Sequence, residues 1–226
     1  MDSFIKLYFL KLKTSLIYIW DNIRTALRYY SNKEFRKVDI ALLKLYMGVN
    51  PYQLSRQFLE KKKAKDIYAY GETPLLSLEK IVRECNIQPK DTIYELGCGR
   101  GRACFWLALI LKAKVVGIDY VPEFIEKAQI IGKRVPRLKF CLEDFLISDL
   151  QQATVIYLHG SCMEDTDIDQ LNSKLIKLKK GLKVISVSFS LAEYDIEGNW
   201  EILKIFPVKF SWGQGDVYLQ RLVGID

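Results

Sequence analysis

The chain has 226 residues, half of them hydrophobic, and 34 Lys and Arg against 27 Asp and Glu give a formal net charge of +7. This composition excludes a disordered or fibrous chain and leaves room for one sizeable domain with an appendage. Five cysteines without paired short spacing and a single histidine argue against a disulfide framework and against a zinc site, so no metal is expected and the thiols read as those of a cytoplasmic protein.

The charge is uneven. Residues 1–66 hold 14 basic against 6 acidic side chains, a net +8, whereas residues 67–226 hold 20 against 21. The chain therefore divides into a basic helical amino-terminal region, 1–66, and a neutral domain, 67–226. Such a region is either a solvated basic face or a contact surface for an acidic partner, nucleic acid or an anionic membrane.

In residues 3–30 the apolar side chains Phe4, Ile5, Tyr8, Phe9, Leu12, Leu16, Ile19, Trp20, Ile23, Leu27 and Tyr30 recur at helical steps of three and four. Lys6, Lys11, Lys13, Arg24 and Arg28 interrupt them, and the uncharged run Thr14 to Trp20 falls far short of the ~20 residues of a membrane span. No small-residue cleavage site marks a signal peptide. Three readings stay open: packing on the domain, pairing with another subunit, or lying in a membrane interface, which would make the protein a peripheral membrane one. Residues 33–60 predict one or two further helices broken at Asn50-Pro51, and Lys61-Lys62-Lys63-Ala64-Lys65 follows.

Ile67-Tyr68-Ala69-Tyr70-Gly71-Glu72-Thr73-Pro74 reads as a loop, and Leu75, Leu78, Ile81, Val82 and Cys85 as the buried face of a helix. Strands and helices then alternate. Strands are predicted over Asp91–Leu96, Lys114–Asp119, Leu138–Leu142, Thr154–Leu158 and Lys183–Ser188. Helices are predicted over Arg102–Lys112, Pro122–Gly132 and about Asp165–Lys180, the last capped by Gly181. Trp200–Phe210 and Asp216–Val223 flank Ser211-Trp212-Gly213-Gln214-Gly215 as a hairpin. The expected fold is α/β: a doubly wound, Rossmann-like, seven-stranded sheet, mostly parallel with an antiparallel carboxyl-terminal hairpin. Ligands of such sheets bind at the carboxyl ends of the strands, where Glu95, Asp119, Asp144 and His159 fall.

Glu95-Leu96-Gly97-Cys98-Gly99-Arg100-Gly101 joins the first strand to its helix. A dinucleotide loop uses the same device, but its third glycine is Arg102 here, and Glu95 would repel a pyrophosphate. An acid at that place suits a ligand with an ammonium and a sulfonium. Glu-x-Gly-x-Gly-x-Gly resembles motif I of the class I S-adenosylmethionine-dependent methyltransferases. On that reading Glu95, Gly97, Gly99 and Gly101 hold the methionine end of the cofactor. Asp119, 22 residues after Gly97 and followed by Tyr120, meets the ribose hydroxyls. Asp144 meets the adenine amino group, with Phe145 against the base. A lone acid at a strand end is as readily a turn or cap residue. His159, the only histidine, is a candidate base or substrate contact, or else a structural imidazole.

A closer resemblance covers roughly residues 68–226. Tyr70-Gly71-Glu72-Thr73, the glycine motif, Asp144-Phe145, Gly181 and Ser211-Trp212 before a Tyr-containing strand resemble the non-SET histone lysine methyltransferases of the disruptor-of-telomeric-silencing type. The resemblance implies that Tyr70, Gly71, Glu72 and Thr73 close over the cofactor. It also implies that Trp212 and Tyr218 line a lysine channel, forming with Tyr70 and His159 the catalytic set. Where that family has Asn-Asn-Phe after the fourth strand, this chain has His159-Gly160-Ser161. A protein lysine is the leading acceptor. The alternatives are a small-molecule or lipid-like acceptor at a membrane surface, and a nucleic-acid-binding module with a vestigial cofactor site, against which intact Glu95, Asp119 and Asp144 argue.

Overall fold

The computed structural model describes residues 2–160, 163–211 and 213–224, with side chains described from residue 16 onward. Short, largely buried runs make the parallel strands β1 (Thr92–Leu96), β2 (Lys114–Asp119), β4 (Val155–Leu158) and β5 (Lys183–Val187), and the half-exposed edge strand β3 (Leu138–Leu142) joins them. The longer β6 (Trp200–Phe210) and β7 (Gly213–Leu222) form the antiparallel edge. All seven join one sheet in the order β3-β2-β1-β4-β5-β7-β6. The order reverses between β1 and β4, so their carboxyl ends flank the crevice where such sheets bind ligands.

One face of the sheet is covered by α4 (Leu75–Glu84), α5 (Arg102–Leu109) and α6 (Pro122–Gly132). The other is covered by α7 (Asp165–Leu175) and a short 3₁₀ turn, Leu191–Tyr194, which the sequence pattern did not suggest.

The amino-terminal helices are α1 (Asp2–Tyr29), α2 (Lys33–Leu45) and α3 (Pro51–Lys61). Asn32 caps α2 by accepting the Phe35 N–H at 3.0 Å, and its amide donates to the Leu109 carbonyl at the end of α5. Asn50 caps α3, with Pro51 at the first helical position. α2 sends Phe35 and Leu42, both fully buried, into the core beneath α5 and α6. Each such side chain contributes about 1.5–3 kcal/mol by leaving water. α1 is different: of its described side chains only Thr25 and Tyr29 are buried.

Three boundaries differ from expectation by more than a residue, the first being that of α5, which stops at Leu109 and not at Lys112. α7 stops at Leu175, because Leu178 and Leu182 continue in tighter turns that bond three residues back. Gly181 is thus no helix cap; at φ +91° it turns the chain into β5, and its N–H donates to the Leu222 carbonyl. The hairpin turn is also shorter than predicted, since Phe210 pairs with Gly213 and the glycines at 213 and 215 lie within the ladder. Ser161 and Trp212 fall outside the described residues.

Candidate active site

An open cleft, with about 380 Å³ of empty space when the solvent at its mouth is counted, lies at the carboxyl ends of β1 and β4. Gly71, Glu72, Thr73, Glu95, Gly97, Cys98, Arg100, Arg102, Ala103 and His159 line it. The structure thus brings together the glycine loop, the Tyr70–Thr73 loop and His159, which the sequence singles out separately.

The loop after β1 turns through left-handed backbone at Gly97 (φ +72°) and Gly101 (φ +74°). Their surroundings differ. A Cβ on Gly101 would sit 2.4 Å from the Phe140 ring, whereas a Cβ on Gly97 meets nothing within 4 Å. Gly101 therefore serves packing, and Gly97 leaves open space beside the cleft.

Glu95 is buried and has no cation beside it; its carboxylate accepts only from the Cys104 thiol, at 2.9 Å. Burial pushes its carboxyl up to about 7, the charges of Asp119 and Glu72 add to the rise, and the thiol hydrogen bond opposes it. A buried acid left so is complementary to an incoming cation.

The Tyr70–Thr73 loop is latched at three points. Arg100, from the glycine loop, makes a two-pronged ion pair with Glu72 at 2.5 and 2.6 Å. Burial would raise the Glu72 carboxyl, but this guanidinium holds it below the ordinary carboxylate value. The Tyr70 hydroxyl donates to Glu72, and the Tyr70 ring lies over Gly99, where a Cβ would approach it to 2.8 Å. Burial, with the Glu72 charge, pushes the Tyr70 hydroxyl far up, so it acts as a hydrogen-bond donor and not as a base. The Thr73 and Tyr157 hydroxyls lie 2.5 Å apart.

Two arginines are the functional residues that sequence reasoning missed. Besides holding Glu72, Arg100 lies 5.0 Å over the ring of Tyr46, just past α2. Arg102 pairs with the fully buried Asp39 of α2 at 2.7 and 2.9 Å, and the Tyr30 hydroxyl donates to the same carboxylate. The signal was available: two cations among the glycines of a loop whose ligand is itself cationic need acids from elsewhere in the chain.

His159 stacks on Phe210 with ring centroids 4.9 Å apart, and its Cε1 would lie 3.4 Å from a Cβ on Gly71. Both ring nitrogens are buried without a hydrogen-bond partner. Burial lowers its pKa to about 4, so the imidazole is neutral at pH 7. Phe210 was not foreseen; it is the hairpin aromatic that reaches the histidine.

The remaining candidates are not among the residues that line the cleft. Asp119 is buried and clamps the glycine loop, accepting from the N–H groups of Gly99 at 2.7 Å and Val121 at 2.9 Å. Burial raises its carboxyl, and those N–H groups oppose the rise. Tyr120 lies 5.6 Å from Phe58 of α3. Asp144 is exposed and accepts the Leu146 N–H in a tight turn, with Phe145 half-buried beside it. Tyr218 pairs with Ser186, opposite in face to Val187 and Val217. Side chains alternate along a strand, so Tyr218 faces α7's side of the sheet and His159 faces the other. The structure does not bring Tyr218 to the cleft with His159.

Among the described residues no group of three or more His, Cys, Asp or Glu is disposed to hold a metal. The cleft does fit a cofactor with an ammonium group: Glu95 lacks a counter-cation, and the space beside Gly97 is open.

Comparison with known proteins agrees. The methyltransferase domain family matches residues 87–202, just over half of the chain. Histone-lysine N-methyltransferase, H3 lysine-79 specific, of Drosophila melanogaster is 24% identical over 133 residues, which make up 52% of this chain and 7% of that protein. The chain thus spans a small part of that relative's length. The RNA methyltransferase of Salinibacter ruber in complex with S-adenosyl-L-homocysteine superposes with a TM-score of 0.56 at 23% identity, over 69% of this chain and 95% of that one. The geranyl diphosphate C-methyltransferase of Streptomyces coelicolor A3(2) gives 0.54 at 13% identity, over 66% and 77%. These structures share the fold.

The chain belongs to the methyltransferase domain family. A methyltransferase domain, with neighbours of the same fold that hold S-adenosyl-L-homocysteine, is the class of protein that the fold and the site define.

Proposed function

We propose that the acceptor is the side-chain amine of a protein lysine. The observation that carries this reading is the neutral His159, its ring nitrogens unpartnered, in one cleft with Glu95 and the Tyr70–Thr73 loop. The partial likeness to a histone-lysine methyltransferase supports it.

The cofactor, when bound, supplies a methyl group already activated by its sulfonium. Glu95 would receive the ammonium of the methionine end, while the N–H groups of Gly97, Cys98, Gly99 and Gly101 hold the loop itself by bonding to Ile118, Asp119 and Cys98. Asp119 keeps a lone pair on each oxygen for the ribose hydroxyls, beside Tyr120. Asp144 accepts from the adenine amino group, and Phe145 covers the base. A lysine has an ordinary pKa of about 10.4, so it must shed its proton before it can attack. His159, with a pKa near 4, is too weak a base to take that proton. It acts instead as a hydrogen-bond partner that aims the neutral amine, held in place by Phe210. Trp212 keeps the channel role that the family resemblance implies.

The test is methyl transfer from labelled S-adenosylmethionine to basic proteins, with the modified residue located by mass spectrometry. Label on lysine is expected. His159→Ala should lower kcat on the order of a hundredfold through lost alignment, with cofactor affinity nearly unchanged. Label confined to nucleic acid, small molecules or lipid would refute the lysine reading. A lipid-like acceptor is the second reading, and the exposed apolar surface of α1 is what favours it.

A further inference from the structure

More than half of the large apolar side chains exposed among the described residues fall within residues 16–52. In α1, Leu16, Ile19, Trp20, Ile23 and Leu27 are all exposed, Leu27 to 82%. Their steps of three and four put them on one stripe of the helix. Thr25 and Tyr29, the buried residues, lie on the opposite side of it. The stripe therefore points away from the body. The sequence repeats the same spacing upstream at Ile5, Phe9 and Leu12.

We infer that α1 lies flat on an anionic lipid bilayer, its stripe among the acyl chains and its cations at headgroup level. Three occupants compete for the stripe, and charge decides among them. The α1 sequence carries Lys6, Lys11, Lys13, Arg24 and Arg28 against Asp2 and Asp21, and of these cations Arg28 already pairs with Glu79 of α4 at 2.9 Å. A second copy would bring like charges together along both flanks of the seam, where paired helices need opposite ones. Nucleic acid would satisfy the cations and leave the stripe in water. An anionic bilayer satisfies both, and Trp20, on the stripe, suits the headgroup boundary. Crossing is not an option, since among the described residues no helix is long and apolar enough.

The placement has a consequence for the site. The Tyr18 hydroxyl adds to the electrostatic surroundings of Tyr52 and Arg100, so α1 runs toward the mouth of the cleft. Tyr52 itself packs edge-on against Tyr70 at 5.0 Å. A bilayer under α1 would face that mouth, and acceptors would be met at the membrane surface.

Flotation of the full chain with vesicles tests this, comparing phosphatidylcholine alone with phosphatidylcholine plus phosphatidylserine, at low and high salt. Binding to the anionic vesicles that weakens as salt rises is expected. Brominated lipid should quench tryptophan fluorescence, and Trp20→Phe should remove that quenching. The triple variant Leu16→Ser, Ile19→Ser, Ile23→Ser should lower partitioning at least about tenfold, given the area withdrawn from water. Its melting temperature and cofactor affinity should change little, because all three side chains are exposed and none belongs to the core. Arg24→Glu should weaken binding to anionic vesicles only. Unchanged partitioning of the triple variant, or no binding to either vesicle, would overturn the proposal. So would a concentration-dependent dimer that the triple variant abolishes, or DNA binding without vesicle binding.

Discussion

Glu95 sits buried with a single thiol for company, and its carboxyl titrates at about 7. An arriving ammonium favours the charged form and lowers that value. Below pH 7 the acid must release a proton before it can pair, so cofactor affinity should rise from pH 5.5 to about 7 and then level off. Calorimetric titration in buffers of different ionisation heat should register that proton. Glu95→Gln should flatten the profile and weaken binding by about 10- to 100-fold, the worth of a charged hydrogen bond. A sloping profile in the Gln variant would move the titration elsewhere. Glu95 was legible because it precedes a glycine loop and is followed by Asp119 and Asp144 at the next strand ends, a series that a lone turn or cap residue does not make. Arg100 and Arg102 were not, because their partners, Glu72 and Asp39, lie 28 and 63 residues away in sequence. Tyr218 was misread for want of counting: strand parity alone sends it to the opposite face.

At the scale of elements, the inner parallel strands were readable almost to the residue, since burial on both faces leaves unbroken apolar runs. The end of α7 and the hairpin turn were not, because tertiary bonds to β7 and the ladder fix them. The glycine loop divides its labour in a way that composition hides. Gly97→Ala should cost about 1–2 kcal/mol for its left-handed backbone and yet abolish detectable cofactor binding, since the new methyl enters the space beside the cleft. Gly101→Ala carries that strain and also drives a methyl into the Phe140 ring, so it should cost about 2–5 kcal/mol. Thermal unfolding and cofactor titration on the two variants separate the effects. Equal behaviour would mean that Gly97 does not border the cofactor.

For the molecule as a whole, the amino-terminal third proves to be two things. The exposed part of α1 contributes no buried side chain from residue 16 to 20, whereas α2 sits in the main core. Removing residues 2–20 should leave the melting temperature within a few degrees of the full chain. Removing residues 1–66 withdraws Phe35 and Leu42 and strands Arg102 without Asp39. An uncompensated buried charge costs about 3–5 kcal/mol, and domains hold only about 5–15 in total, so the shorter chain should lose cooperative unfolding. A well-folded 67–226 fragment would refute this. Charge bookkeeping found the basic third. It could not reveal that some of its residues are core, because α2's buried face is short and its key contact is ionic.

The ion pair of Arg102 with Asp39, with Arg100 over the Tyr46 ring, also makes the cofactor loop and α2 thermodynamic partners. A residue that lines the ligand site is fastened to a helix none of whose own residues lines the cleft. Reciprocity then runs both ways: whatever steadies the loop protects the amides of α2 from exchange, and whatever loosens α2 is charged to affinity in equal measure. A partner that grips the outer surface of α2 could therefore set how readily the enzyme loads, without ever reaching the chemistry.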